Sequence, residues 1–367
     1  MIDFRYHVVS LISVFLALAV GIALGAGPLK ESIGAQLTGQ VDQLRTEKSE
    51  LREQLEDERA EANLQRAFAL ATAEDLLDDL LTERNVAVIT AGNVEKQAIE
   101  GTIERIEQAG GKITARFDLA DSWTSTSQRS FRSTLASSLH DYLDPEPEDG
   151  AGVEEKLALA LAQMLTDATP DDPNHLSENS SMLQELLVSA DLVSPVSAQT
   201  APADLVIVLV PTTIESEDSE DRAELESFNM AVSELAVVLA DSAEGVVVAG
   251  SSEESEDVLF QLRRDHAGAV TTVDGVDYLT GQITVALALA DAVKDPGNAF
   301  GSRANADLVA PGRVDLDPPD RLVPDPDDEI PSGENDVEGA HDMGADGTDL
   351  ADSSIDEEGS GDEEEVQ

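Results

Sequence analysis

The 367-residue chain contains no cysteine. Disulfides, thiolate metal sites, iron–sulfur clusters and cysteine nucleophiles are therefore excluded. A cysteine-free chain suits either side of a membrane, so the redox compartment stays open. Aromatic residues are scarce, at 8 Phe, 3 Tyr and 1 Trp, so aliphatic side chains must supply any core. Lysine is scarcer still: Lys30, Lys48, Lys96, Lys112, Lys156 and Lys294 are the whole set among 22 Lys+Arg. Against 76 Asp+Glu, the net charge is 22 − 76 = −54. The bulk of such a chain has no basic face for nucleic acid or for an anionic membrane surface. No nucleic-acid partner is expected.

A tail does not account for all of this charge. Residues 302–367 carry 22 Asp+Glu and 3 Arg, a net of −19, so residues 1–301 keep 54 acids against 19 bases, a net of −35. Carboxylates throughout, with few lysines, is a composition that stays hydrated in concentrated salt. Salt at 1 M screens self-repulsion down to a Debye length of about 3 Å. The halophilic-type composition leads us to expect a protein adapted to high salt.

What is present begins with Val8 to Gly27, twenty residues without a charge. As a helix they rise about 30 Å, the thickness of a bilayer's hydrocarbon core. Arg5 precedes the run, which by the positive-inside rule leaves the N-terminus in the cytoplasm and the bulk of the chain outside. A cleaved signal peptide is the competing reading; the run is longer than a signal's apolar region, so a retained anchor is expected. Ala17, Gly21 and Gly25 recur every fourth residue, a spacing that lets two membrane helices approach closely.

From Ile33 to Arg84 the pattern is one long helix. Leu37, Val41, Leu44, Leu51 and Leu55 are spaced as heptad a and d positions, which predicts a coiled-coil stalk and a homo-oligomer formed through anchor and stalk. Beyond Ala62 the apolar phase shifts to Phe68, Ala71, Leu76, Leu77, Leu80 and Leu81, which predicts that the second half folds back onto the domain that follows.

Strands and helices then alternate. Val86–Thr90, Lys112–Phe117, Asp204–Val210, Val246–Ala249 and Ala269–Thr272 read as strands. Val94–Gln108, Ser127–Leu143, Val153–Thr166, Ser180–Ser189, Ser219–Asp241, Glu253–His266 and Thr280–Val293 read as helices. Continuously apolar strands joined by helices predict an α/β, Rossmann-like parallel-sheet domain with both faces covered. Thr280–Val293 is too short to span a bilayer and is expected in the core. The expected organisation is a cytoplasmic end and transmembrane anchor over 1–30, and a helical stalk over 31–84. An exported domain over 85–301, with a helical insertion over 118–193, precedes a disordered acidic tail over 302–367. That tail has too little apolar surface to offset chain entropy.

Catalytic signatures are missing: no G-x-S-x-G elbow, no phosphate-binding P-loop, no G-x-G-x-x-G. His7, His140, His175, His266 and His341 form no helical pair. No enzymatic activity, cofactor or catalytic residue is expected, and no metal ligand is assigned. In open α/β sheets ligands sit beyond the carboxyl ends of the strands. Here those ends are Thr90–Asn93, Pro211–Ile214 and Gly250–Ser252, making Gly92, Asn93, Pro211, Thr212, Gly250 and Ser251 the candidate crest residues. Tight turns and caps explain the same residues without a ligand, and the surrounding acids oppose an anion.

The stretch MIDFRYHVVSLISVFLALAVGIALGAGPL, the stalk, and VDGVDYLTGQITVALALADAV at Val273 to Val293 closely resemble the actinobacterial copper transport outer membrane protein family, MctB, over roughly residues 1–300. The resemblance implies one N-terminal membrane helix, an exported mixed domain, and a role in copper efflux or homeostasis, with a channel in the mycobacterial outer membrane. Copper ions enter as a candidate partner on that ground alone. Copper(I) favours Cys and Met ligands, yet Met1, Met164, Met182, Met230 and Met343 are scattered. A transmembrane barrel needs many alternating segments of about ten residues, and continuous strands interleaved with helices are present instead. The residues alone favour a structural or scaffolding envelope protein, and the fold admits a ligand-sensing α/β domain.

Overall fold

The computed structural model describes residues 4–26, 28–144, 147–148, 150–212, 219–303 and 305–322. The tail beyond residue 322, and positions 213–214 of the crest, lie outside the described residues. Helix α1, Phe4–Ala26, contains a 22-residue stretch, Phe4–Gly25, long and apolar enough to cross a membrane and unburied by the rest of the chain. Helix α2, Pro28–Leu77, is one 50-residue helix. Proline suits its first position because the first helical N–H has no partner to lose. Leu37, Val41, Leu44, Leu51 and Leu55 stand exposed on it.

The described domain alternates as expected. Strand β1, Asn85–Ala91, is followed by α3, Lys96–Gln108, and β2, Lys112–Leu119. Then come α4, Asp121–Thr124, α5, Arg129–Leu139, and α6, Val153–Thr166. A small hairpin, β3 (Ala168–Thr169) and β4 (Asp172–Leu176), leads to α7, Glu178–Ser189, and β5, Val193–Ser197. The second half is β6, Leu205–Leu209; α8, Ser219–Ala240; β7, Gly245–Gly250; α9, Val258–Asp265; β8, Thr271–Asp274; α10, Leu279–Lys294; and β9, Ala299–Phe300. The main sheet has seven strands in the order β5-β2-β1-β6-β7-β8-β9. Every pairing is parallel except β2 with β5.

Both faces of the sheet are covered, so its strands need no polar side. Ala87, Ile89, Val206, Val208, Val246 and Val248 face one core with Leu157, Leu161 and Leu165 of α6 and Val232, Leu235 and Leu239 of α8. Val86, Val88, Leu205, Ile207, Leu209, Val247 and Ala249 face the other, with α10 and the end of α2. Segment 118–193, read as a helical insertion, is integral to the domain, because its helix α6 fills the first core. Only the last turns of α2 lie against the domain, burying Ala73 and Leu77 beside α10, whereas Phe68 and Ala71 of the face predicted to pack there stay exposed.

Several elements differ from expectation: α2 ends at Leu77, not Arg84, β8 is shifted to Thr271–Asp274, and the short strands β3, β4 and β9 were not foreseen. Helix α9 starts at Val258, not Glu253. Residues before it turn around the fully buried Asp257, whose carboxylate accepts N–H bonds from Glu253 (2.8 Å) and Glu254 (3.0 Å) and the Ser251 hydroxyl (3.0 Å). Strand β5 was not expected, because Val-Ser-Pro-Val-Ser is an exposed antiparallel edge with no apolar run. Order also continues past Gly301. All three arginines beyond that point fasten a strap to the domain. Arg303 pairs with Glu253, the Arg313 Nη1 donates to the Leu76 carbonyl (3.0 Å), and the Arg321 Nε donates to Asp204 (2.9 Å). The tail boundary set at 302 overlooked these anchors because composition averages the strap with the acidic residues behind it.

Candidate functional site

Chain order places β1 beside β2 on one side and β6 on the other, so the direction of winding reverses between β1 and β6. Loops leaving two such strands diverge and leave a crevice at the carboxyl edge. A cleft of about 190 Å³ lies there, lined by Asn93, Val94, Glu95, Val210, Pro211, Thr212, Gly250, Ser251, Val276 and Asp277. Five of the six candidate crest residues therefore meet in one place. The sixth, Gly92, adopts φ +73°, and a Cβ there would come within 3.2 Å of Pro211 and 3.3 Å of Phe228. Gly92 shapes the turn beside the cleft.

Gly250 has a packing reason to be glycine. A Cβ would stand 2.5 Å from the Val210 carbonyl oxygen, so its absence lets β6 and β7 close at the crest. The Ser251 hydroxyl is committed to Asp257 and the Ser252 hydroxyl donates to Asn305 at 2.8 Å. Glu95, Val276 and Asp277 were not among the candidates. Val276 and Asp277 come from the loop after β8, a strand too short to advertise its end.

The electrostatics of this crest are negative. Partial desolvation, and then the carboxylates of Glu95 and Glu253, push the Asp277 carboxyl above its ordinary range. Such a rim favours a cation and disfavours an anion. Beside it, the buried Arg263–Asp274 ion pair (2.9 Å) ties the end of β8 to the strap. The Arg263 guanidinium also donates to the Thr272 hydroxyl (2.9 Å) and the Phe300 carbonyl (2.7 Å). Asp274 accepts the Ser302 N–H (2.8 Å) and the Arg303 N–H (3.3 Å). Burial lowers the Arg263 pKa, and Asp274 opposes that shift. The pair is satisfied within the fold and holds structure.

The other candidates, Ala17, Gly21 and Gly25, lie along α1. A Cβ added at Gly21 or Gly25 meets nothing in the single chain. Among the described residues no group of three or more His, Asp or Glu is arranged to hold a metal. Met164 is fully buried in the first core and Met230 is half exposed on α8.

Comparison with known proteins gives one consistent answer. Residues 1–311 match the family described as copper transport outer membrane protein, MctB. Copper transporter MctB of Mycobacterium tuberculosis is 25% identical over 303 residues, covering 80% of this chain and 93% of that protein. Copper transporter MctB of Mycobacterium leprae is 26% identical over 311 residues, covering 79% and 93%. The match stops at residue 311, within the strap and ahead of the acidic tail.

Proposed function

Because this chain belongs to the copper transport outer membrane protein family MctB, we propose that it is a membrane-anchored envelope protein serving copper homeostasis. In this proposal it works as a scaffold: anchor and stalk associate with a second copy, and the α/β domain is presented outside the membrane to a partner. One observation carries the reading. Among the described residues a single membrane-length helix, α1, is followed by a 50-residue helix of which the far end is buried in the domain. That arrangement sets a folded domain at a distance from a membrane and leaves an apolar stripe along the spacer.

A channel is the finer role that the family's description suggests. The small-residue stripe of α1 would form a dry seam, since it offers no polar lining for an ion. The purified full chain in planar bilayers is therefore expected to give no conductance. Steady unitary conductance that scales with protein would overturn the scaffold reading.

A second reading rests on the crest cleft at the winding reversal: a sensor of a small cation. Titration of the full chain with small organic cations, followed by tryptophan-independent thermal shift, checks it. Unchanged melting at millimolar ligand removes it.

A further inference from the structure

The stalk has a second periodicity besides its apolar one. With Leu37, Leu44 and Leu51 at d and Val41 and Leu55 at a, the e positions of four successive heptads are Arg45, Arg52, Arg59 and Arg66. They are all the arginines between residues 31 and 83, in a chain where basic residues are rare. The g positions one heptad earlier are Gln40, Glu47, Gln54 and Glu61. Asp42, Glu50, Glu53, Glu56 and Asp57 occupy the outer b, c and f positions, while Lys48 at a and Glu58 and Gln65 at d interrupt the apolar seam.

We propose that this ladder specifies a parallel, in-register dimer with a second copy of the chain, in which each e arginine meets the g residue of the partner five positions earlier. The proposal deepens, and rests on, the reading that the stalk self-associates. In a parallel coiled coil a g side chain crosses the seam to the e' side chain of the following heptad. Two copies thus align Glu47 with Arg52 and Glu61 with Arg66 as ion pairs, and Gln40 with Arg45 and Gln54 with Arg59 as hydrogen-bonding pairs. Turned antiparallel, e faces e', so arginine would line up against arginine. One charge pattern thus favours one orientation and penalises the other.

The single chain leaves these groups available. Arg45 has only an exposed 3.3 Å contact with Asp42 on its own helix. Among the described residues, the side chains of Arg52, Arg59 and Arg66 have no hydrogen-bond or ion-pair partner. Glu47 and Glu61 accept only from Gln43 (2.9 Å) and Gln65 (3.2 Å) one turn away. The apolar seam between the rows is equally bare, with Leu44 and Leu51 each 64% exposed. The seam ends where the domain takes over the helix, since Ala73 and Leu77 belong to the second core. Paired stalks would therefore leave two domains side by side at one end and two anchors at the other.

The absence of native cysteine makes the test direct. The full-length chain in detergent carries Leu37→Cys or Leu55→Cys and is oxidised at low salt. Each variant is expected to form a disulfide dimer with itself, while Glu53→Cys on the outer face does not. The combined Arg52→Glu/Arg66→Glu variant is expected to weaken association about tenfold or more, a change of about 1.4 kcal/mol per decade. Adding Glu47→Arg/Glu61→Arg to the same chain is expected to restore it. Crosslinking only between a Leu37→Cys chain and a Leu55→Cys chain means an antiparallel pair and overturns the proposal while leaving self-association intact. Self-crosslinking at both sites with no response to charge reversal overturns the ladder. A monomer by sedimentation, with no crosslinking at all, overturns the self-association reading itself. Capture of an acidic helix from another protein, with no dimer, does the same.

Discussion

Single residues in this molecule matter mostly where the backbone or a buried charge has no alternative. Gly281 opens α10 against the loop after β8, and a Cβ there would stand 2.1 Å from the Gly275 carbonyl oxygen. Backbone cannot step aside as a side chain can, so Gly281→Ala is expected to destabilise the domain by about 1–3 kcal/mol in denaturant unfolding. Asp274→Ala leaves Arg263 buried without its partner, and a loss of about 3–5 kcal/mol is expected by the same measurement. Neither role was visible in the residue string, because both depend on which loops the topology brings together. The crest was partly visible: Gly92, Asn93, Pro211, Thr212, Gly250 and Ser251 sit at strand ends that apolar runs reveal. Asp277 and Glu95 were hidden in a sea of carboxylates. Burial also acts on acids elsewhere. It raises the pKa values of Asp204, Glu234 and Glu244, as it does that of Asp277. A raised carboxylate pKa means that the folded chain holds its proton more tightly than the unfolded chain. Stability from these groups is full below the ordinary carboxylate range and falls as pH rises through the raised values. Asp172, Glu224 and Asp265 shift the opposite way but lie at the surface, where solvent screens them. The melting midpoint is thus expected to rise as pH is lowered from neutrality through the raised values toward the ordinary carboxylate range, as scanning calorimetry can show.

Elements were legible in proportion to how much apolar surface they bury. Strands β1, β6 and β7 read as strands because both faces are covered, and α10 read as a core helix for the same reason. The edge strand β5, the two-residue β9 and the strap were not legible, because their partners are backbone groups and single arginines. The strap yields an element-scale prediction. A chain ending at Gly301 loses Arg321 from Asp204 and the Asp317 carbonyl from Arg84, so near the starts of β1 and β6 Arg84 keeps only Glu244 and Asp204 keeps only the Asn85 N–H. Its melting midpoint is expected to fall by about 5 °C. A chain ending at Leu322 keeps those contacts and is expected to melt with the full-length protein. Equal melting of both truncations would show that the strap does not stabilise the domain.

At the scale of the whole molecule, net charge is the first determinant of expected behaviour. A net charge of −35 on residues 1–301 opposes compaction at low ionic strength. Salt that screens it is expected to raise the melting midpoint of the part beyond α1 steadily up to molar concentrations, and a flat profile would refute adaptation to salt. The stalk ladder belongs to the same electrostatics with opposite sign, since salt weakens it while the apolar seam persists. Dimerisation should accordingly lose its dependence on Arg52 and Arg66 as salt increases. What joins these features, in our proposal, is a protein of the MctB family anchored by α1 with its domain held at a distance from the membrane. Cell-associated copper under copper load, in a strain lacking the protein, tests that account most directly. Copper is predicted to rise on deletion, to return to normal with the full chain, and to stay high with a chain lacking α1. Unchanged copper on deletion, or full rescue without the anchor, would contradict it.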